Sequence, residues 1–423
     1  MTDRTDDLTA ATGAPAARER ESTGATRESR ATPGAAPLDV DRGSLDPLAT
    51  LDLPEVGPER VELPQVLEYD ADAAQLPKSN ARRATLLFIV LGAGLVLATL
   101  VAAALGQMQI PIVEVVGSLC RRAGLACGAE ASHVNTDAVL WEVRFPRVVL
   151  AVLVGAALAS AGAIMQGVFG NPLADPGVVG VSSGAAIGAS LMIVTGLAAG
   201  SSFAIPIGAF VTGVITALVV YSISRSRGRT QVITLILVGV AVNAFAGAAL
   251  ALMTFSATTN QREQIVFWQM GSLAGALWES VGTVLPLLLL GLVLAFLVAG
   301  KLDLLSLGDD AARHLGLNIE RLRIFSIIIV AVLTATAVAF AGIIGFVGLV
   351  VPHVIRMIMG PGHKVLVPAS ALGGALLLVV ADTFARTALP YAELPLGMIT
   401  ALVGGPFFFY LIKSSSASRN GGW

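Results

Sequence analysis

The sequence predicts an all-α polytopic membrane protein with about ten transmembrane helices. Hydrophobic residues make up 55% of the 423 residues, charged residues only 13%, and the mean hydropathy is +0.78. Soluble domains carry about 25% charged residues, so this chain is too apolar to be one of them. Long apolar runs recur from residue 84 onward, and about 20 such residues suffice for a helix to cross the hydrocarbon core of a bilayer.

Ten apolar segments satisfy this length criterion or approach it, and the eighth is the shortest. Their approximate extents are 84–106, 146–167, 178–198, 203–223, 231–254, 280–300, 322–343, 346–359, 366–387 and 394–412.

The chain divides into three parts. Residues 1–80 contain 16 acidic and 8 basic residues, are rich in Ala, Pro and Gly, and show no sustained apolar period. Such a segment cannot bury enough apolar surface to offset the entropy of ordering, so we expect a disordered cytoplasmic tail. The transmembrane domain then spans 81–413, and residues 414–423 form a short cytoplasmic C-terminal tail.

The distribution of Lys and Arg predicts the orientation, because cytoplasmic loops collect these residues. With the N-terminus inside, the inner loops receive most of the bases after residue 77, and the C-terminus is also inside. Six arginines remain on the outer side: Arg121, Arg122, Arg144, Arg147, Arg262 and Arg386. Charged residues at a bilayer border are costly unless they reach the interface or serve a partner, so these six require an explanation.

The only two cysteines, Cys120 and Cys127, fall in the same predicted outer loop, between the first two spans. We expect a structural disulfide that closes this loop, because an oxidising compartment preserves such a bond. Two free thiols are the alternative.

Small residues recur at helical spacing, which is typical of helices that pack closely in lipid. The two stripes are Gly155, Ala159 and Gly162 in the second span and Gly180, Gly184 and Gly188 in the third. Gly and Pro interrupt 342–352 and 394–406, and such breaks suit either a translocation pathway or ordinary kinks. In the turn 171–176, NPLADP, Asp175 and Pro176 are suited to start a helix.

Several kinds of chemistry have no support in the sequence. The phosphate-binding pattern GxxxxGK[ST] does not occur, so an ATP-driven role needs a separate ATPase subunit. The middles of the predicted spans contain essentially no ionisable residues, which weighs against an ion-coupled secondary carrier. The four histidines show no metal-ligand spacing, and for His353 a hydrogen bond to the backbone is favoured over a metal. We therefore expect no catalytic residues and no metal site.

Five motifs together resemble the permease subunits of ABC importers of the FecCD type, which take up iron-siderophores, haem and cobalamin. The resemblance covers about 82–413, and the motifs are RFPR at 144–147, NPLADPGVVGVSSGAAIGA at 171–189, LSLGDDAARHLGL at 305–317, GFVGLVVPHVIR at 345–356 and ADTFARTALPYAELPLGMITALVGGPFF at 381–408.

The resemblance implies the type II ABC importer permease fold and a set of partners. These are a second copy of the chain in a homodimer, two cytoplasmic ATPase subunits and an extracytoplasmic substrate-binding protein, in a membrane lipid environment and without nucleic acid. ATP and Mg²⁺ belong to the ATPase, so no cofactor is expected on this chain.

The resemblance also implies roles for three of the outer arginines. In these permeases the RxPR arginines and a later arginine pair with acidic residues of the binding protein, and the matching positions are Arg144, Arg147 and Arg386. The guanidinium group suits such docking because it makes bidentate contacts with carboxylates. Two alternatives stay open: Arg386 lies four residues after Asp382 and could pair with it, and all three could contact lipid headgroups.

The segment 305–323 resembles the coupling segment that fits a groove of the ATPase, and we use that name for it below. A short helix bounded by Gly308 and Gly316 could move as a rigid unit, although a capped surface helix without a partner would look the same. The residues expected to carry coupling are Leu307, Gly308, Asp309, Asp310, Ala312, Arg313, Leu315 and Gly316.

Within the family, 165–186 and 381–411 are most similar to haem permeases, whereas Gly170 stands where an arginine often precedes NPLADP. Haem is therefore the favoured cargo, and a ferric siderophore or cobalamin is the alternative. A pathway for a large, partly apolar cargo should offer weakly interacting groups. The candidates are Met165, Gln166, Ser183, Met192 and Asn243.

Overall fold

The computed structural model describes residues 78–125, 127–226 and 229–420, and these form an almost entirely helical bundle. The predicted disordered tail up to residue 77 and the last three residues of the predicted C-terminal tail lie outside the described residues. The helices are α1 Lys78–Ala104, α2 Ile112–Arg122, α3 Thr136–Ala138, α4 Phe145–Phe169, α5 Val181–Val194, α6 Ala204–Ile223, α7 Val232–Ser256, α8 Thr259–Met270, α9 Trp278–Leu305, α10 Asp309–His314, α11 Ile319–Ala341, α12 Val347–Met359, α13 His363–Thr387 and α14 Leu396–Asn420.

Short irregular elements connect these helices. A π-helical turn, Val139–Arg144, joins α3 to α4 without a break, and 3₁₀ turns occupy Pro176–Val179 and Leu197–Gly200. Two-residue strands, β1 Arg225–Ser226 and β2 Arg229–Thr230, form an antiparallel hairpin between α6 and α7.

The ten predicted spans are confirmed as helices. Seven are long and apolar enough to cross a bilayer, namely α1, the continuous α3–α4 helix, α6, α7, α9, α11 and α13, and the shorter apolar helices α5, α12 and α14 account for the other three. Among the described residues, α2 and α8 are additional helices that the span pattern did not predict.

Three predicted boundaries require correction. The second span was placed at 146–167, but its helix runs without interruption from Thr136 to Phe169. The third was placed at 178–198, but α5 covers only Val181–Val194 because Gly180 and Gly196 adopt left-handed φ angles of 78° and 77° at its ends. The tenth was expected to end at 412, whereas α14 continues to Asn420.

Helix α4 is the centre of the bundle, because 89% of its apolar window is buried inside the protein, compared with 17% for α7. Its glycines permit close backbone approach, as the small-residue stripe predicts. A Cβ on Gly155 would lie 2.3 Å from the Gly374 carbonyl oxygen in α13, and a Cβ on Gly162 would lie 1.8 Å from that of Gly348 in α12. Side chains at these positions would therefore force the helices apart.

The second stripe packs α5 against α6 in the same way. A Cβ on Gly188 would lie 2.2 Å from the Gly208 carbonyl oxygen, and a Cβ on Gly184 would lie 2.2 Å from the hydroxyl oxygen of Thr216. The Gly-rich sequence after the NPLADP turn therefore specifies this helix pair.

The predicted break after residue 342 separates α11 from α12. Gly342 has a φ of 69°, and Phe346 has a φ of 67° immediately before α12 begins. The freed carbonyl of Ala341 accepts a hydrogen bond from the Ser272 backbone N–H at 2.8 Å, so protein contacts satisfy the interrupted backbone. Such a break is stable only where neighbouring elements supply these partners.

The two ends of the bundle differ in character. The disulfide end contains α2, the Cys120–Cys127 bond and the C-terminal ends of α1 and α13. The coupling end contains the NPLADP turn, the coupling segment and the N-terminal end of α13. Each predicted group of functional residues, apart from the pathway candidates, lies at one of these ends.

Candidate functional site

The segment after α2 is fastened to that helix at the disulfide end. Cys120 and Cys127 are joined by a disulfide, with their Cα atoms 5.6 Å apart. The Ser132 backbone N–H and hydroxyl both donate to the Glu114 carboxylate at 3.1 Å, and Arg121 pairs with Asp137 at 2.8 Å. These contacts fix the entry into the α3–α4 helix, which carries the RFPR arginines.

Arg144 is 5% exposed and points into the protein, although the sequence places it at a membrane border. Its Nη1 donates to the carbonyls of Ala103 and Ala104, the latter at 2.8 Å, and its Nη2 donates to the Met108 carbonyl. The last carbonyls of a helix have no partner within the helix. Arg144 therefore caps the C-terminal end of α1.

Arg386 caps the same helix end from α13. Its Nη1 donates to the Leu105 carbonyl at 2.7 Å and its Nη2 to the Ala102 carbonyl, while its Nε lies 3.6 Å from an Asp382 oxygen. The intrahelical pairing with Asp382 that the spacing allowed is therefore present. In addition, the guanidinium reaches across to α1.

Arg147 forms the strongest ion-pair arrangement of the three. Its Nε and Nη2 both contact the Asp382 carboxylate, at 3.0 and 2.9 Å, and its Nη1 and Nη2 each contact one oxygen of Glu393 at 3.0 Å. Asp382 is 2% exposed, whereas the Glu393 side chain is 41% exposed. The structure thus brings Arg144, Arg147 and Arg386 together in what we call the arginine cluster, with Asp382 and Glu393 as its carboxylates.

The charges of the arginine cluster do not cancel. Three guanidinium groups share two carboxylates, which leaves one excess positive charge. Sequence reasoning identified the three arginines and Asp382 but missed Glu393 and the carbonyls at the end of α1. Glu393 lies 246 residues after Arg147, so no local spacing indicates that contact.

The coupling segment is a short, rigid element. Gly308 has a φ of 98° before α10, Gly316 has a φ of 82° after it, and Asp309 pairs with Arg323 of α11 at 3.0 Å. Ala312, in α10, is fully buried, whereas Leu307 and Leu315, on either side of this helix, are 63% and 60% exposed. The remaining predicted residues Asp310 and Arg313 lie on α10 between these two leucines. The coupling segment therefore exposes two leucine side chains, one on each side of a helix that is held in place by the Asp309–Arg323 pair.

The NPLADP turn also lies at the coupling end. The Asp175 carboxylate accepts a hydrogen bond from the Gly177 backbone N–H at 2.7 Å, and Pro176 is the first residue of the following 3₁₀ turn. The predicted cap is confirmed. Nearby, His353 lies close to the backbone of Pro172, but its Nδ1 has no hydrogen-bond partner among the described residues, so the favoured interpretation of this histidine stays a prediction.

The five pathway candidates do not form one surface. Met165 is fully buried and Gln166 is 1% exposed, with its amide donating to the Leu349 carbonyl at 3.3 Å, so the structure places both in the packed interior rather than on a surface. Met192 packs against Gly208. Only Ser183 and the exposed Asn243 come together, because the Ser183 hydroxyl donates to the Asn243 side-chain oxygen.

Among the described residues, no group of three His, Cys, Asp or Glu side chains is placed to hold a metal ion. The geometry offers charged contacts at one end of the bundle and an apolar, short-helix contact at the other.

Comparisons with known proteins agree with this geometry. The model of the FecCD transport family matches residues 94–414. The chain is 43% identical to the hemin transport system permease protein of Yersinia pestis over 68% of this chain and 88% of that protein. It is 42% identical to the cobalamin import system permease protein of Halobacterium salinarum, over 66% of this chain and 74% of that protein. It is 36% identical to an Fe(3+)-citrate import system permease protein of Bacillus subtilis, over 78% of this chain and 96% of that protein.

A solved structure has the same fold. It is described as an inward-facing conformation of a metal-chelate type ABC transporter, and it superposes with a TM-score of 0.67 at 30% sequence identity, covering 78% of this chain and 99% of the other.

Proposed function

Because the chain belongs to the FecCD transport family, we propose that it forms the membrane pathway through which an ABC importer brings an iron chelate, with haem favoured, into the cell. The chain is a non-catalytic permease subunit of an ABC importer and a multi-pass protein of the inner membrane. An ATPase and a substrate-binding protein are the partners that this class of transporter requires.

The exposure of Leu307 and Leu315 on either side of α10 is the observation that supports this function most directly. Exposed leucines next to charged residues are suited to a protein contact, and the buried Ala312 packs α10 against the core of the bundle. We assign this surface to the two ATPase subunits, which supply ATP and Mg²⁺. In this assignment the coupling end and both chain termini are cytoplasmic.

The arginine cluster is the proposed docking surface for the binding protein on the outer side. Its excess positive charge would attract acidic groups, and charges at the rim of an interface mainly determine the encounter rate. Because the guanidiniums already hold α1 and α13 together, acidic groups of the binding protein would share these arginines with Glu393 at the exposed edge of the cluster.

Neutralising Glu393 tests this docking surface without removing an arginine. Glu393→Gln raises the excess charge of the cluster from one to two, so we expect faster association of the loaded binding protein at low salt and no difference at high salt. Glu279→Gln, an exposed carboxylate at the start of α9, is the matched control. Equal association rates for both variants and the wild type would place docking elsewhere.

Haem is the favoured cargo because the hemin permease is among the relatives of highest identity and because segments 165–186 and 381–411 resemble haem permeases, apart from Gly170 before NPLADP. The cobalamin permease is almost as similar, so a ferric siderophore or cobalamin is the second candidate. An ion-coupled secondary carrier is the alternative outside this class.

Uptake into proteoliposomes that contain this chain, with or without its ATPase and ATP, tests the proposed function. Loaded binding protein is supplied on the outside, and its absorption spectrum identifies the cargo, since haem gives an intense Soret band that ferric siderophores and cobalamin lack. We expect accumulation only when the ATPase and ATP are both present. Accumulation by the isolated subunit would favour a secondary carrier instead.

A further inference from the structure

A cavity of about 370 Å³ lies at the coupling end, between the C-terminal end of α4, the coupling segment and the adjoining ends of α12 and α13. Its polar lining comes from Gln166, Ser306, Asp309, Arg323, Arg356 and His363. Neither the docking of the binding protein nor the contact of Leu307 and Leu315 with the ATPase uses these groups, so the cavity needs its own explanation.

The lining has more hydrogen-bond donors than acceptors. The Arg356 Nε and Nη2 and the Arg323 Nε are buried and have no hydrogen-bond partner among the described residues. His363 is 1% exposed, and its Nδ1–H donates to an Asp303 carboxylate oxygen at 2.9 Å, so its unpartnered Nε2 is an acceptor, as is the unpartnered Oε1 of Gln166. Buried guanidinium N–H groups without an acceptor are costly, so a ligand that accepts hydrogen bonds would be stabilised here.

The charges indicate the sign of that ligand. Asp309 is the only carboxylate in the lining, and it is already paired with Arg323 at 3.0 Å. Arg356 takes part in none of the ion pairs that the described residues form. The lining therefore carries one more positive than negative charge, and the Nε and Nη2 donors of Arg356 face no acceptor among the described residues. Asp303, a further carboxylate near Arg356, contacts His363 and lies outside the lining. This arrangement favours an anion over a cation.

We propose that this cavity binds the phosphate group of either inorganic phosphate or an anionic phospholipid. A phosphate group offers several oxygen acceptors to donors that converge from different side chains, and the guanidinium fork matches its geometry. Arg323 belongs to α11 and Arg356 to α12, so a bound phosphate group would connect these two helices. The proposed site rests on the position of the cavity and on the unpartnered donors of Arg323 and Arg356.

The consequence for coupling rests on the proposed function. Asp309 is the first residue of α10 and shares Arg323 with the cavity. A phosphate group between Arg323 and Arg356 would therefore hold the base of the coupling segment against α12. In an importer this contact would make the coupling segment more rigid, and the coupling segment is the element that contacts the ATPase.

The binding test uses the purified full chain without its ATPase, so its result is independent of transport. Reconstituted in discs of neutral phosphatidylcholine, the chain is titrated with inorganic phosphate against chloride at equal ionic strength, and thermal unfolding is followed. We expect a saturable rise of the unfolding midpoint with phosphate, because a ligand that binds only the folded state stabilises it. Line broadening of the phosphate signal in ³¹P NMR provides a second measurement on the wild type.

Two variants locate the effect. Arg356→Gln should weaken phosphate binding tenfold or more, because the charged donors are lost. Arg321→Gln, which removes an exposed arginine of α11 outside this cavity, should leave it unchanged.

A second arm distinguishes the lipid source. If inorganic phosphate has no effect, native mass spectrometry of protein from phosphatidylglycerol vesicles should find retained lipid in the wild type and in Arg321→Gln and less of it in Arg356→Gln. The proposal would be overturned if neither inorganic phosphate nor retained lipid were detected. It would also be overturned if the wild type and Arg356→Gln responded equally.

Discussion

Arg144 and Arg386 show how a charged residue at a membrane border can be stabilised by the backbone. The two guanidiniums supply donors to four carbonyls between Ala102 and Leu105, where α1 ends, and Arg144 also reaches the carbonyl of Met108. A helix end inside a membrane protein needs such partners because little water reaches it. The arginines therefore stabilise the fold, whether or not a partner also binds them.

Substituting Arg144 by lysine should separate charge from geometry. Lysine keeps the positive charge but lacks the planar fork that reaches carbonyls of both α1 and the following loop. We expect Arg144→Lys to lower the free energy of unfolding by about 2 kcal/mol, the size of a lost charge-assisted hydrogen bond in a buried site. Thermal unfolding of the purified chain measures this.

Arg122→Lys is the matched control for Arg144→Lys. Arg122 is exposed at the same end of the bundle and lies 5.2 Å from the centre of the Trp141 ring. We expect a change of less than about 0.5 kcal/mol for this surface substitution. An Arg144→Lys protein as stable as the control would show that the capping contacts contribute little.

At this scale the sequence identified the important side chains but not their partners. The charge rule left six outer arginines, and the family resemblance selected Arg144, Arg147 and Arg386 among them. The spacing of four residues allowed the Asp382 contact of Arg386. The partners of Arg144 are backbone carbonyls, which carry no sequence signal. Asp382 and Glu393 meet Arg147 across more than 230 residues, so only the three-dimensional fold reveals that pair.

Among the elements, α4 and α13 depend on glycine-to-glycine contact. A Cβ on Gly374 would lie 2.2 Å from the Gly155 carbonyl oxygen, and backbone cannot move aside as a flexible side chain can. Gly374→Ala should therefore separate the two helices and lower the free energy of unfolding by about 1–3 kcal/mol, the usual cost of overpacking. Thermal unfolding in the same detergent gives the comparison.

Gly92→Ala provides the matched control, because nothing lies within 4 Å of a Cβ at this position in α1. We expect this change to be neutral or slightly stabilising, since alanine favours the helix. If Gly374→Ala behaves like Gly92→Ala, close approach of α4 and α13 is not a constraint.

The coupling segment is the element on which contact with the ATPase should depend. Replacing Leu307 and Leu315 together by serine removes two exposed apolar side chains, which are 63% and 60% exposed, and leaves the buried Ala312 and the Asp309–Arg323 pair intact. We expect the affinity for the ATPase to fall about tenfold or more, as for the loss of central interface contacts.

Co-purification of the ATPase and its stimulation by the loaded binding protein provide the two measurements. Leu290→Ser is the control, because Leu290 is 58% exposed in the middle of α9, away from the coupling segment. Normal ATPase binding by the double variant would show that the coupling surface lies elsewhere.

Elements with an apolar period could be predicted, whereas short amphipathic ones could not. All ten spans came from hydropathy, but α2 and α8 are too polar to register as spans. For α8 a local signal was present in the sequence: Thr258 and Gln261 form a capping box, the pattern in which Ser or Thr precedes Glu or Gln by three residues. The π-helical turn Val139–Arg144 that joins α3 to α4 has no comparable signal.

For the whole molecule, the single subunit leaves α7 largely uncovered. Asn243 is the twelfth of the 25 residues of α7 and is exposed, with Ser183 as its side-chain partner. An amide near the middle of a span is unfavourable against lipid and is usually found facing protein or a water-filled cavity. The α7 face that carries Asn243 is therefore the part of the surface best suited to face the pathway and the second copy in the proposed homodimer.

A single introduced thiol tests this arrangement, because the only native cysteines are bonded to each other. Asn243→Cys in the assembled importer should react with a water-soluble maleimide, and Leu290→Cys, at a lipid-facing mid-span position of α9 that is 58% exposed, should remain unlabelled. Bifunctional reagents should also join two Asn243→Cys subunits, since residues that line a pathway on the dimer axis approach their symmetry mates. If Asn243→Cys is as unreactive as Leu290→Cys and gives no linked pair, α7 faces lipid, and the pathway must be formed by other helices.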